Sequence, residues 1–275
     1  MRKLYAANLI RLWKNKIFRG SLILMAVLGA YIPVTDYINM RQDNSVIPLE
    51  SSFFSYIIFL PIILSVFCSM FVGTEYSDGT IRNKITVGHK RQDIYLANLF
   101  ICMTAGVLLN MVFSVCYLGV GIPLLGFFEI PLRGIGVFFL ASLVLYVTFA
   151  AMFTCAAMSN ANKAAGAVLC VLSVFLLIAV GTYIESRLSE PEIYNGYVIT
   201  EDGVEIGDER KNPAYLDGTK RKVYEFLHDF LPGDQIIQCS SMEAEHPFRL
   251  PVYSAIIFAG TTAAGIVIFK RKDIK

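Results

Sequence analysis

Few residues in this chain are spaced for bond-making chemistry. His89, His228 and His246 fall in three different segments, so a zinc site would need distant convergence with no ligand spacing behind it. Glu243, Glu245 and His246 stand close together, but in a polar stretch that reads as a solvated loop. Neither the phosphate-cradling G-x-x-x-x-G-K-[ST], nor G-x-S-x-G, nor H-E-x-x-H occurs. The expected set of catalytic, cofactor-binding and metal-ligating residues is therefore none, and the chain reads as a non-enzyme.

The most organised polar stretch runs from Gly73 to Asn98, and its chemistry is that of contact rather than catalysis. Tyr76-Ser77-Asp78-Gly79 is a turn signal, Thr80 is placed to cap a short helix through Val87, and Gly88 is placed to stop it. Ile81 and Ile85, four apart, share one face, while Arg82 and Lys84 are expected to project from it. Such a helix, parallel to a membrane and apolar on one side, suits docking in a groove of a soluble protein. Glu75 is expected to anchor the end of the preceding segment by pairing with a basic group or capping amides.

The elements that hold this stretch are read from where charge is missing. Hydrophobic types make up 55% of the 275 residues and charged types 17%. Six charge-free runs stand out: Gly20–Thr35, Ser51–Thr74, Ile94–Phe128, Gly134–Asn162, Ala164–Ile184 and Leu250–Phe269. Crossing about 30 Å of hydrocarbon takes roughly 20 helical residues. A charge at the bilayer centre costs on the order of 2.5–3.5 kcal/mol. The runs lack the i, i+4 charge pairs that a polar helix face would carry, so each is expected to be a membrane helix. The expected fold is a single all-α integral membrane domain over 1–275, with spans near 18–37, 52–74, 94–118, 135–158, 164–184 and 251–269. Gly119, Gly121, Pro123 and Gly126 make the third run ambiguous between one long helix and a squeezed pair.

Charge decides that ambiguity. With six spans, residues 1–19, 75–93, 159–163 and 270–275 share one side and hold fifteen basic and four acidic residues. The other side, 36–50, 129–133 and 185–249, holds nine basic and eighteen acidic. The positive-inside rule then makes both termini cytoplasmic, and 185–249 a large extracellular segment between spans five and six. Dividing the third run would put Lys270, Arg271 and Lys272 outside. Residues 4–17 place Tyr5, Leu9, Leu12, Trp13 and Ile17 on one stripe, as expected of a helix lying in the inner interface. Basic residues that track the membrane face argue against nucleic acid as a partner.

Five cysteines, Cys68, Cys102, Cys116, Cys155 and Cys170, fall within apolar runs, and Cys239 stands alone in the outer segment, where it reads as an exposed thiol. In that segment Val198-Ile199-Thr200 and Val204-Glu205-Ile206 flank Glu-Asp-Gly as a small hairpin. Val223, Phe226, Leu227, Phe230 and Leu231 form the stripe of an interfacial helix that Pro232 ends.

Glu75-x-x-x-Gly79-Thr80-Ile81-Arg82, followed by Gly88-x-x-Arg91 and Leu96-Ala97-Asn98, resembles the permease subunits of type-two ABC exporters. Phe230-Leu-Pro-Gly233 and the terminal Phe269–Lys275 are similar to theirs as well. The resemblance implies that loop 75–93 carries a coupling helix, with Glu75, Gly79, Thr80, Ile81, Arg82, Lys84, Gly88 and Arg91 facing or supporting a cytoplasmic ABC ATPase subunit. It also implies a second permease subunit, identical or not, with the path for an unknown substrate between the two, in the lipid bilayer of a bacterial plasma membrane. Segment 185–249 is longer than that family's usual outer element. A membrane-bound sensor or accessory protein that binds an extracellular cationic ligand without transport is the alternative.

Overall fold

The computed structural model describes residues 2–160, 162–200 and 203–273. Six helices are long and apolar enough to cross a membrane, one on each charge-free run. In chain order the elements are α1 (Arg2–Lys14), α2 (Lys16–Asp43), α3 (Glu50–Phe53), α4 (Tyr56–Ser77), α5 (Thr80–Thr86), α6 (Arg91–Leu125), α7 (Leu132–Ser159) and α8 (Lys163–Leu188). A hairpin of β1 (Ile193–Thr200) and β2 (Gly203–Lys211) follows, then α9 (Gly218–Phe230), α10 (Pro232–Ser241) and α11 (Arg249–Arg271). The third run is one helix of 35 residues, ended by Gly126 at φ 92°.

The stripe from Tyr5 to Ile17 divides between two helices. Asn15 separates them, its side chain accepting the Phe18 N–H at 3.0 Å as the N-cap of α2. Three helices form the middle of the bundle: 61%, 50% and 56% of the apolar windows of span two, α6 and α7 are buried. For α2, α8 and α11 the shares are 28%, 22% and 17%, so these present broad apolar faces outward. α2 lies along α6, α8 along α4, and α11 along α7. Gly29 permits the first contact, since a Cβ there would lie 2.7 Å from the Phe113 carbonyl oxygen. The core near α3 is aromatic. Tyr56 and Phe113 ring centroids are 4.6 Å apart, and Phe113 stacks on Tyr117 at 5.7 Å.

Because successive spans alternate in direction, α1, α5 and the end of α11 share one end of the bundle. At the other end, the Tyr117 hydroxyl donates to the Leu49 carbonyl at 2.9 Å. The buried Glu50 carboxylate accepts the Glu129 and Ile130 N–H groups, each at 3.2 Å. Those contacts fix the turn between α6 and α7 by giving its backbone donors a charged acceptor.

The segment after α8 adds a two-stranded antiparallel sheet to the helices, with Thr200 opposite Gly203 and Ile193 opposite Lys211. Glu201 and Asp202, expected at its turn, lie outside the described residues. Asn212 closes the base, its amide donating to Glu190 and to the Pro191 carbonyl, each at 2.9 Å.

Three expectations for residues 185–249 are extended or corrected by the structure. Pro232 ends α9 but also occupies the first turn of α10, where its missing N–H costs nothing. Cys239 is buried on α10, which packs against α8, α4 and α7, and burial pushes its thiol up to about 12. It is therefore no labelling site. The stripe on α9 meets protein as well as the outside: Phe226 and Phe230 stack at 5.3 Å and both contact the Tyr253 ring of α11. Leu227 and Leu231 are half-buried, whereas Phe226 remains 49% exposed.

α10 reaches α8 where both helices lack a Cβ. One added to Gly181 would sit 2.7 Å from the Asp234 amide nitrogen, and one on Gly233 would collide with the Leu177 carbonyl. Both obstacles are backbone, which cannot rotate away. Gly233→Ala is therefore expected to lower stability by about 1–3 kcal/mol. Gly260→Ala, where a Cβ meets nothing within 4 Å, should leave it unchanged. Thermal unfolding of the detergent-solubilised protein checks the pair.

Candidate functional site

The end of the bundle that carries both termini is organised around one carboxylate. Glu75 lies in the last turn of α4 with its side chain fully buried. Arg11 of α1 and Lys84 of α5 both pair with its Oε1. Asn98 of α6 donates to Oε2 at 2.7 Å. Asn98 in turn accepts from the Asn8 amide at 3.1 Å, and Lys84 reaches the Asn8 side-chain oxygen at 3.4 Å. Arg11 also donates to the Phe71 carbonyl and lies 3.7 Å from the centroid of the Phe71 ring. Four helices thus meet on two carboxylate oxygens.

This arrangement follows from what burial demands. An ionised carboxylate removed from water must be paired and hydrogen-bonded. Two cations and an amide supply that here, and the cations keep part of their own hydration, with side chains 32% and 14% exposed for Arg11 and Lys84. α1 therefore turns Leu4, Asn8 and Leu12 inward and leaves Ile10 and Trp13 outside.

α5 is seated by the same contacts. Gly79, at φ 65°, occupies its N-cap position, so Thr80 is the first helical residue and not the cap. Ile81 is buried and Ile85 packs against the core at its edge. Gly88, at φ 94°, follows the helix, and its N–H donates to the Ile85 carbonyl at 2.9 Å. Lys84, expected to project, instead points into the bundle because Glu75 is the nearest anion. Arg82 does face outward, together with Asn83, Thr86 and Val87, which is 78% exposed. Val87 was not among the expected contact residues. An apolar side chain at the tip of a polar loop was its only signal.

Arg91 does not join α5. Its guanidinium donates to the carbonyls of Phe269 at 3.2 Å and Lys270 at 3.1 Å, and to that of Lys272, gathering the free acceptors at the end of α11. Lys272, whose pKa burial lowers, donates to the Tyr76 hydroxyl at 3.2 Å and the Met158 carbonyl at 3.0 Å. Tyr76 donates to the same Met158 carbonyl at 2.6 Å. The ends of α4, α7 and α11 are tied beside the Glu75 centre.

At the opposite end, a polar cavity of about 470 Å³ lies between α9, the loop 243–248 and α11, lined among others by Glu225, His228, Asp229, Glu243, His246 and Arg249. Among the described residues no three His, Cys, Asp or Glu side chains could hold a metal ion. His228 Nδ1 and Asp234 Oδ1 are 3.0 Å apart. Burial opposes protonation of His228, but Asp234, with Asp229 and Glu185, outweighs it and the pKa rises. Burial also raises the pKa of Asp234, which His228 only partly offsets.

Six helices long and apolar enough to cross a membrane, with a short helix seated on a buried charge centre at one end, define a multi-pass membrane protein. The chain belongs to the ABC-2 family of transporter proteins, whose family model, ABC-2 family transporter protein, matches residues 11–181. That places it among ABC transporter permeases, membrane components of transport. The match spans Arg11, Glu75, α5 and Asn98, and ends at Gly181, before β1, β2, α9, α10 and α11. A search of curated proteins finds no match.

Two outcomes are expected. Converting Glu75 to Gln strands two cations and should cost about 3 kcal/mol. A double-mutant cycle of Arg11→Met with Glu75→Gln should show coupling well above that of the exposed Arg221–Glu225 pair, which belongs to a class worth under about 1 kcal/mol. In the second, a folded-state pKa raised above 6.5 makes the His228 contribution fully present below that pH and lost as pH rises through the raised value. Melting temperature should therefore fall as pH rises from about 6.5 through the raised value, and His228→Gln should flatten that dependence.

Proposed function

We propose that the chain is the membrane-spanning subunit of an ATP-driven exporter, with both termini and α5 in the cytoplasm of a bacterial cell and residues 185–249 outside. The observation that carries this reading is α5 itself, held from behind by Lys84 and Ile81 while Arg82 and Val87 face away from the bundle. A cation beside an exposed apolar side chain suits a groove on a separate ATPase, which would supply the nucleotide chemistry that this chain's motifs do not.

Seating explains how force would pass. Displacing α5 pulls Lys84 and hence Glu75, so α4, α1 and α6 must follow or leave charges unpaired. Closure of the ATPases would thus bias two permease halves between alternative packings. The weakly buried faces of α2, α8 and α11 are available for lipid and for the second half. Family membership favours this reading over a sensor that binds a cationic ligand.

The experiment is copurification. Arg82→Glu combined with Val87→Asp should leave insertion and melting temperature unchanged while reducing recovery of an ATPase partner and transport. Full recovery would remove α5 from the coupling role. For orientation, a cysteine at Glu243, which is exposed, should react with an impermeant thiol reagent added to whole cells. Reaction only after lysis would invert the topology.

A further inference from the structure

α1 does not lie level against α6. Asn8 bonds Asn98 while Tyr5, three residues earlier, bonds Thr104 at 3.1 Å, six residues further along α6. Six residues of helix rise about 9 Å. The N-terminal end of α1 therefore climbs along α6, away from the polar ends of the spans. There Arg2 and Tyr5 form one wall of an open groove of about 550 Å³, whose other walls include Phe100, Met103, Val107 and Leu108 of α6 and Val147 of α7. Nearly all of that lining is apolar. Arg2 is exposed and makes no ion pair among the described residues.

A lone guanidinium beside a hydrocarbon-lined groove at membrane depth needs an anion whose remainder is apolar. Anionic membrane lipids have that chemistry, and phospholipids are the commonest of them in a bilayer. We propose that this groove is a binding site for an anionic phospholipid of the leaflet in which α1 lies, the phosphate on Arg2 and an acyl chain along Phe100, Met103 and Val107. Basic pockets between membrane helices bind acidic headgroups in this manner. The groove volume falls within the range of built ligand sites. Bound there, the lipid would bridge α1 to α6 and α7. The site requires the six helices to be in a membrane and does not require coupling to an ATPase.

The test uses the full chain in detergent with phosphatidylglycerol or phosphatidylcholine of identical acyl chains, read by native mass spectrometry. Wild type should retain about fivefold more phosphatidylglycerol than phosphatidylcholine under matched activation. Arg2→Gln should equalise the two lipids at unchanged melting temperature, and Val107→Trp, which fills the groove, should reduce retention of both. Equal retention by wild type, or a preference that survives Arg2→Gln, would overturn the site. So would cross-linking of two Phe100→Cys chains through this face, since a second copy would then cover it. Loss of ATPase copurification in the Arg82 and Val87 variant, with lipid retention intact, separates this outcome from that of the coupling role.

Discussion

A carboxylate withdrawn from water at the edge of a membrane dictates how this end of the bundle is built. Glu75 has no solvent to share its charge, so every neighbouring helix that can supply a donor is drawn to it. Arg11 orients α1, Lys84 seats α5, and Asn98 fixes the rotation of α6. The pairing adds little net stability compared with a well-packed apolar substitute, but it makes the positions of four helices interdependent. That is a useful property where a contact on one helix has to be felt by the others.

The opposite end is held by different means. Backbone approach through Gly181 and Gly233 fits α10 against α8. Polar side chains then tie it to its neighbours: Gln235 donates to the Asp229 carbonyl at 2.8 Å, Gln238 donates to the His228 carbonyl at 2.7 Å, and Ser254 of α11 donates to Gln235. One end is thus gathered on a single carboxylate, whereas the other combines close backbone approach with dispersed polar contacts. Only the first is in direct contact with α5.

The spans were legible because charge exclusion is a one-dimensional signal: a run either tolerates burial in hydrocarbon or does not. The hairpin and α9 were legible for a similar reason, each having a local period. Partnerships were not. Asn8 and Arg11 are ordinary residues in sequence and Asn98 only closes a motif, and the fold alone brings them to Glu75 across 67, 64 and 23 positions. Lys84 was read as a projecting charge because helix geometry sets direction but not which side faces an anion. α10 was missed because Pro and Gly at its start resemble loop residues, and Cys239 was misplaced with it. Glu50 was counted only as a flanking charge, although it organises the turn after α6.

α6 is 35 residues long, about 52 Å, which exceeds the hydrocarbon thickness by some 20 Å. It is fastened at its start by Arg91 to the end of α11, and about two turns before its end by Tyr117 to the segment before α3. A helix held at both of these points cannot shift at one without moving the other. A continuous helix of this length joins the contacts at one end of the bundle to those at the other through a single element.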